Sequence, residues 1–223
     1  MTKLTPRLRP LARFLLTTTA LVAVAPVLAQ AASLDDLETL GTNSVAYAIS
    51  GDGSTVVGAT DVGQFTAYFW NDTDGMTGLS SLGGAPGTCG SAANAVNADG
   101  SVIVGYSAGG AQTYAAVRWD GLAITELTNG YASTSEATGV SGDGDVIVGN
   151  RDNGGTNEAF VWTGGSGVMS DLSGVVGESY AYAVSSDGVY VGGASDVGGT
   201  QVAMRWSSGD GLETLGTIDG FAG

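Results

Sequence analysis

From residue 34 onward the chain alternates short apolar runs with stretches rich in Gly, Ser, Thr, Asn and Asp. One set of runs is Val56-Val57-Gly58, Ile103-Val104-Gly105, Ile147-Val148-Gly149 and Tyr190-Val191-Gly192, each preceded by an Asp-Gly at Asp52-Gly53, Asp99-Gly100, Asp143-Gly144 or Asp187-Gly188. A second set ends in Trp: Ala67-Tyr68-Phe69-Trp70, Ala116-Val117-Arg118-Trp119, Ala159-Phe160-Val161-Trp162 and Ala203-Met204-Arg205-Trp206. Runs this short, bounded by Gly and Asx residues, predict strands. After the N-terminal segment no Gly-free run is longer than the eleven residues Gln64 to Asp74. An average helix of about 11–12 residues would therefore nearly always contain a destabilising Gly.

The runs are periodic. The Asp-Gly pairs are 47, 44 and 44 residues apart, and the four Trp residues follow them by 18, 20, 19 and 19. Each period reads as four strands: one ending in Tyr47-Ala48-Ile49-Ser50 or its equivalents, the Val-Val-Gly strand after the Asp-Gly turn, the Trp strand, and a fourth such as Leu79-Ser80-Ser81-Leu82 or Leu212-Glu213-Thr214-Leu215. Asp-Gly suits the reversal because Gly accepts positive φ and Asp bonds its own backbone. Four antiparallel strands in about 44 residues is the size of a propeller blade, which needs neighbours to cover its faces. The expected fold is all-β, a β-propeller-like array with repeats at about 34–78, 79–126, 127–171 and 172–214, then the start of a fifth. A β-solenoid is the rival, although its coils are usually shorter. Leu37-Glu38-Thr39-Leu40-Gly41-Thr42 returns unchanged as Leu212 to Thr217. Either a four-bladed ring closes with a terminal strand, or the chain is the front of a longer array.

The N-terminus differs in composition from the rest of the chain. Lys3, Arg7, Arg9 and Arg13 precede the apolar stretch Phe14 to Leu28, which ends in small residues at Val27-Leu28-Ala29 and Ala29-Gln30-Ala31. At about 15 residues, broken by three Thr and a Pro, the stretch is short for a bilayer span of ~20, so residues 1–31 read as a cleaved secretory signal and 32–223 as the repeat domain. No Cys follows for a lipid anchor. Without the leader, Arg118, Arg151 and Arg205 face 22 acidic residues, a net charge of −19. Nucleic acid and anionic membranes are poor partners for such a surface. All 38 Gly residues lie beyond the leader, and the 43% hydrophobic content supplies a core. Cys89, alone in Gly87-Thr88-Cys89-Gly90, forms no intramolecular disulfide and reads as a free loop thiol or a bridge to a partner.

The repeat resembles the HAF-type extracellular repeat family of bacterial secreted and surface proteins. Its Ala-Val-Ser-x-Asp-Gly-Ser-x-Val-Val-Gly part is matched by Asn94 to Gly105, and its His-Ala-Phe-x-Trp part by Glu158-Ala159-Phe160-Val161-Trp162. The name-giving His is replaced by Thr66, Ala115, Glu158 and Val202. The resemblance covers about Leu34 to Gly223 and implies export and surface display, as in autotransporter passengers, without naming an activity.

The chain contains no His, and Lys3 lies in the leader. A Ser-His-Asp triad, a His metal site and lysine Schiff-base chemistry are thereby excluded. Paired carboxylates acting on a glycan remain as the catalytic alternative. Ser50-Gly51-Asp52-Gly53 and Ser186-Asp187-Gly188 resemble sialidase Asp-boxes, which are structural turns. Asn71-Asp72-Thr73-Asp74-Gly75 and Asp143-Gly144-Asp145 gather oxygen atoms as calcium prefers, but Asx turns explain them equally well without metal. No catalytic, cofactor or metal residue is therefore assigned. The expected function is a non-catalytic, exported binding or adhesive module, or an autotransporter passenger fragment, with an extracellular protein or glycan as partner. A truncated or inactive product is the third reading.

Overall fold

The computed structural model describes residues 40–83, 87, 90–109, 114–127, 134–172, 174–175 and 177–216. The expected leader, Cys89 and the sequence beyond Gly216 lie outside these residues. The described residues form four antiparallel sheets, each pairing its strands in chain order. Blade 1 holds β1 (Ser44–Ile49), β2 (Val56–Thr60), β3 (Thr66–Asn71) and β4 (Gly75–Gly78). Blade 2 holds β5 (Ser91–Val96), β6 (Val102–Ala108), β7 (Tyr114–Asp120) and β8 (Ala123–Glu126). Blade 3 holds β9 (Ser135–Val140), β10 (Val146–Asn153), β11 (Thr156–Thr163) and β12 (Met169–Asp171). Blade 4 holds β13 (Ser179–Val184), β14 (Val191–Val197), β15 (Thr200–Ser207) and β16 (Gly211–Thr214). The fold is thus an all-β, propeller-like array of four-stranded blades. Each sheet closes within its own period, unlike the coils of a solenoid.

The Asp-Gly turn is built from side chains. In blade 1, the Ser50 hydroxyl donates to Asp52 Oδ1 at 2.6 Å and accepts the Thr55 N–H at 2.9 Å, while the same carboxylate oxygen accepts the Ser54 N–H. Ser141 with Asp143, and Ser185 with Asp187, repeat this arrangement. In blade 2 Asn97 takes the serine's place, accepting the Val102 N–H. These donors pull the Asp52 carboxyl from 3.8 to about 2, the Ser50 hydroxyl contributing most, and lower those of Asp143 and Asp187 as well, while at Asp99 the Ser101 hydroxyl and N–H do so.

Gly53, Gly100, Gly144 and Gly188 all have positive φ. The last three also sit against the preceding blade: a Cβ on Gly144 would lie 2.7 Å from Val102 Cγ2, and one on Gly188 equally close to Val146 Cγ2. Gly53 has nothing within 4 Å. A second glycine position faces an irregularity in the first strand's pairing. There a Cβ on Gly58, Gly105, Gly149 or Gly193 would approach the carbonyl oxygen of Val45, Ala92, Glu136 or Tyr180 to about 2 Å. Register assigns this role in blade 4 to Gly193, which pairs with Ala181 as Gly105 pairs with Ala93. The fourth copy of the motif is therefore Val191-Gly192-Gly193, one residue later than Tyr190-Val191-Gly192 suggests.

Extensive contacts between sheets join consecutive blades, and each junction buries the same pattern. Between blades 1 and 2, Val57, Ala67 and Leu79 meet Ala93, Ile103, Val117 and Trp119. Between blades 2 and 3, Val104, Ala116 and Leu127 meet Ala137, Ile147, Phe160 and Trp162. Between blades 3 and 4, Val148, Ala159 and Leu172 meet Ala181, Val191, Met204 and Trp206. A serine at the start of the following blade then accepts the N–H of the preceding blade's alanine: Ser91 from Ala67 at 3.0 Å, Ser135 from Ala116 and Ser179 from Ala159, both at 2.9 Å.

Two measurements check this construction. Gly144→Ala should cost about 2 kcal/mol or more, from strain and overlap together, whereas Gly53→Ala should cost only the strain, about 1 kcal/mol, in denaturant unfolding. The turn aspartates have folded pKa values below their unfolded ones, so their stabilisation is present above about pH 4 and disappears as pH falls toward about 2. The melting temperature should fall across that window, and less steeply in Asp52→Asn.

Candidate functional site

Consecutive antiparallel strands place the Asp-Gly turns on one rim and the β2–β3-type loops, with the links between blades, on the other. On the second rim a cleft of about 400 Å³ opens between blades 2 and 3. Tyr106 on β6 and Tyr114 on β7 form one wall, with ring centroids 5.1 Å apart in an edge-to-face pair. Ser135 and Glu136 come from β9, Asn150, Arg151 and Asp152 from β10, and Asn157 from β11. A second cleft, of about 330 Å³, lies on the other side of the tyrosine pair, against Asp61, Gln64 and Phe65.

The side chains differ in how firmly they are held. Arg151 is 4% exposed; its Nη2 contacts Glu158 Oε2 at 2.8 Å and Asp171 Oδ1 at 2.5 Å. Asn150 spans the junction to blade 4, its Oδ1 accepting the Ala181 N–H at 2.8 Å and its Nδ2 donating to the Ala181 carbonyl at 3.3 Å. Asp152 accepts the Gly155 N–H and so fixes the β10–β11 hairpin. Asn157 Oδ1 is buried and has no hydrogen-bond partner among the described residues, an acceptor open to a ligand or water. Burial, then the charges of Tyr114, Tyr47 and Glu136 in turn, raises the Tyr106 pKa. Tyr114 is 45% exposed and presents its ring to the opening.

This cleft was not assigned from the sequence. Its signal lies in a departure from the repeat. The position holding Thr60, Ser107 and Ser195 in blades 1, 2 and 4 holds Arg151 in blade 3. The preceding position changes from Ala59 and Ala194 to Tyr106 and Asn150. In the segments considered for calcium, some of the oxygen groups bond within their own turns. Asn71 Oδ1 accepts the Thr73 and Asp74 N–H groups, its Nδ2 donates to Asp74, and Asp143 accepts from Ser141 and Asp145. Among the described residues no cluster of three or more acidic, His or Cys side chains gathers around a common point.

No family model matches the chain, and no characterised protein matches it in sequence. Solved structures do resemble it in fold. A protein assigned as TolB from Agrobacterium tumefaciens superposes with a TM-score of 0.60 at 17% identity, over 78% of this chain and 63% of that one. TolB from Acinetobacter baumannii gives 0.56 at 14% identity, over 78% and 43%. The β-propeller domain of the Trilobed protease from Pyrococcus furiosus, described as having an open velcro topology, gives 0.51 at 12%, over 79% and 55%. The chain spans less than two thirds of the length of each. At these identities the likeness shows the β-propeller fold alone.

Restoring the repeat's own residue tests the ion-pair cluster. Arg151→Ser leaves Glu158 and Asp171 without their shared partner and should cost about 1–3 kcal/mol in chemical denaturation. Arg205→Ser removes a pair exposed on both sides and should cost less than about 1 kcal/mol.

Proposed function

We propose that this chain is an exported, non-catalytic binding module whose ligand, a glycan of the extracellular or periplasmic space, sits in the cleft between blades 2 and 3. The observation that carries the reading is the tyrosine pair standing beside Arg151, Asn157 and acidic rim residues, at the place where the repeat departs from its own pattern. An exposed aromatic ring stacks on the apolar face of a sugar, while amide and charged groups bond its hydroxyls, so the mixture suits a neutral polar ligand. The acidic surface and the secretory leader support export. The resemblance to HAF-type repeats supports surface display, either as an adhesive protein or as part of an autotransporter passenger.

The absence of His from the whole chain, and of Lys beyond the leader, leaves carboxylates as the main acid–base groups for the catalytic alternative. Two acids near the cleft, Glu158 and Asp171, are tied to the same guanidinium nitrogen of Arg151. This arrangement supports binding over hydrolysis.

A glycan panel tests both parts of the proposal. Saturable binding should appear for at least one glycan, weaken at least tenfold in Tyr114→Ala, and occur without release of new reducing ends. Release of reducing ends that stops in Glu136→Gln or Asp152→Asn would establish the carboxylate enzyme instead. Binding unchanged in Tyr114→Ala would remove the cleft as the site.

A further inference from the structure

The three internal junctions define a template, and the two ends of the array each display one half of it. The leading half consists of an alanine N–H in the third strand, a leucine just after the fourth strand, and a valine in the second strand. At the internal junctions Leu79, Leu127 and Leu172 are at most 2% exposed; in blade 4 the corresponding Leu215 is 60% exposed. Ala203, equivalent to the buried Ala67, Ala116 and Ala159, is exposed too. No serine of a following blade meets the Ala203 N–H among the described residues.

The receiving half stands open on blade 1. Ser44 occupies the place of Ser91, Ser135 and Ser179, and Ala46 that of Ala93, Ala137 and Ala181, which are fully buried. Ser44 and Ala46 are exposed, as is Ile49, whose equivalents Val96, Val140 and Val184 pack into the internal junctions.

We propose that the open face of blade 4 in one copy of the chain takes the open face of blade 1 in a second copy, making a fourth junction of the same kind. In it the second copy's Ser44 hydroxyl accepts the Ala203 N–H, and Leu215 is buried as its three equivalents are. Arg205 has a matching role. Its equivalent, Arg118, reaches the next blade and donates to the Gly144 carbonyl at 2.6 Å, whereas Arg205 lies back over the Tyr190 ring and pairs with Glu213. The carbonyl corresponding to Gly144 is that of Gly53 in the second copy. One position departs from the template: Gly192 stands where Val57, Val104 and Val148 fill the internal junctions, and nothing lies within 4 Å of where its Cβ would be. On the facing side, blade 1 carries Ile49 where blades 2, 3 and 4 carry Val96, Val140 and Val184 in the internal junctions. A missing side chain on one face thus meets a larger one on the other. The contact joins two different faces, so two copies either close a ring through two junctions or continue end to end.

Sedimentation velocity of the purified chain, with one variant for each face, tests this. Both substituted positions are exposed, so Ala46→Glu and Ala203→Glu should keep the parent circular dichroism; Ser44→Glu is the second blade 1 variant if Ala46→Glu does not. The parent should sediment as a dimer or a longer series, and each variant alone as a monomer. An equimolar mixture of Ala46→Glu and Ala203→Glu should form a two-chain species, because each supplies the face the other lacks. A parent chain that stays monomeric up to its highest soluble concentration overturns the proposal. So does a variant that still assembles alone, or a mixture of folded variants that stays monomeric.

Discussion

The bond from an alanine N–H in one blade to a serine hydroxyl in the next is the point on which the array depends. Just beyond the fourth strand Leu79 and Leu127 give their N–H to the alanine carbonyl, while the same alanine's N–H goes to the serine of the next blade. An unpaired N–H in a buried junction is costly. The serine at the start of the next inner strand supplies the acceptor and sets how the blades meet. Around it, one face brings Leu79 or Leu127 against the other, where a small Ala93 or Ala137 lies beside a Trp and an Ile of its own blade. A blade is thus completed by its neighbour, both in hydrogen bonding and in apolar cover.

This dependence accounts for the unusual composition. Gly is needed where the Asp-Gly turn reverses the chain, where that turn touches the preceding blade, and where the first strand's carbonyl crosses close to the second strand. The turn aspartates are equally structural. Their carboxylates accept from a serine two residues earlier or, at Asp99, two residues later, and from the backbone after the turn.

Much of this was legible because it recurs. The Asp-Gly and Trp spacings predict the four strands of each period, and one solution of turn chemistry and strand pairing then serves every blade. What recurs less faithfully was harder to see. In the fourth repeat, Val191-Gly192-Gly193 offers two glycines for one close approach, and only its pairing with Ala181 shows that Gly193 is the one used. The cleft was hidden for the opposite reason. Tyr106, Asn150 and Arg151 carry no motif, and they converge only because two blades pack side by side. Their one trace in the sequence is that they replace the small residues found at the same positions in other blades.

The claim that neighbouring blades complete one another through the serine–alanine bond is tested most directly by native-state hydrogen exchange of the alanine amides, measured in the Ala46→Glu chain so that blade 1 cannot cover blade 4. The account predicts that Ala67, Ala116 and Ala159 exchange slowly, at rates near that of global unfolding, and that Ala203 exchanges far faster. Equal protection of all four amides, or fast exchange at Ala116 and Ala159, would contradict it.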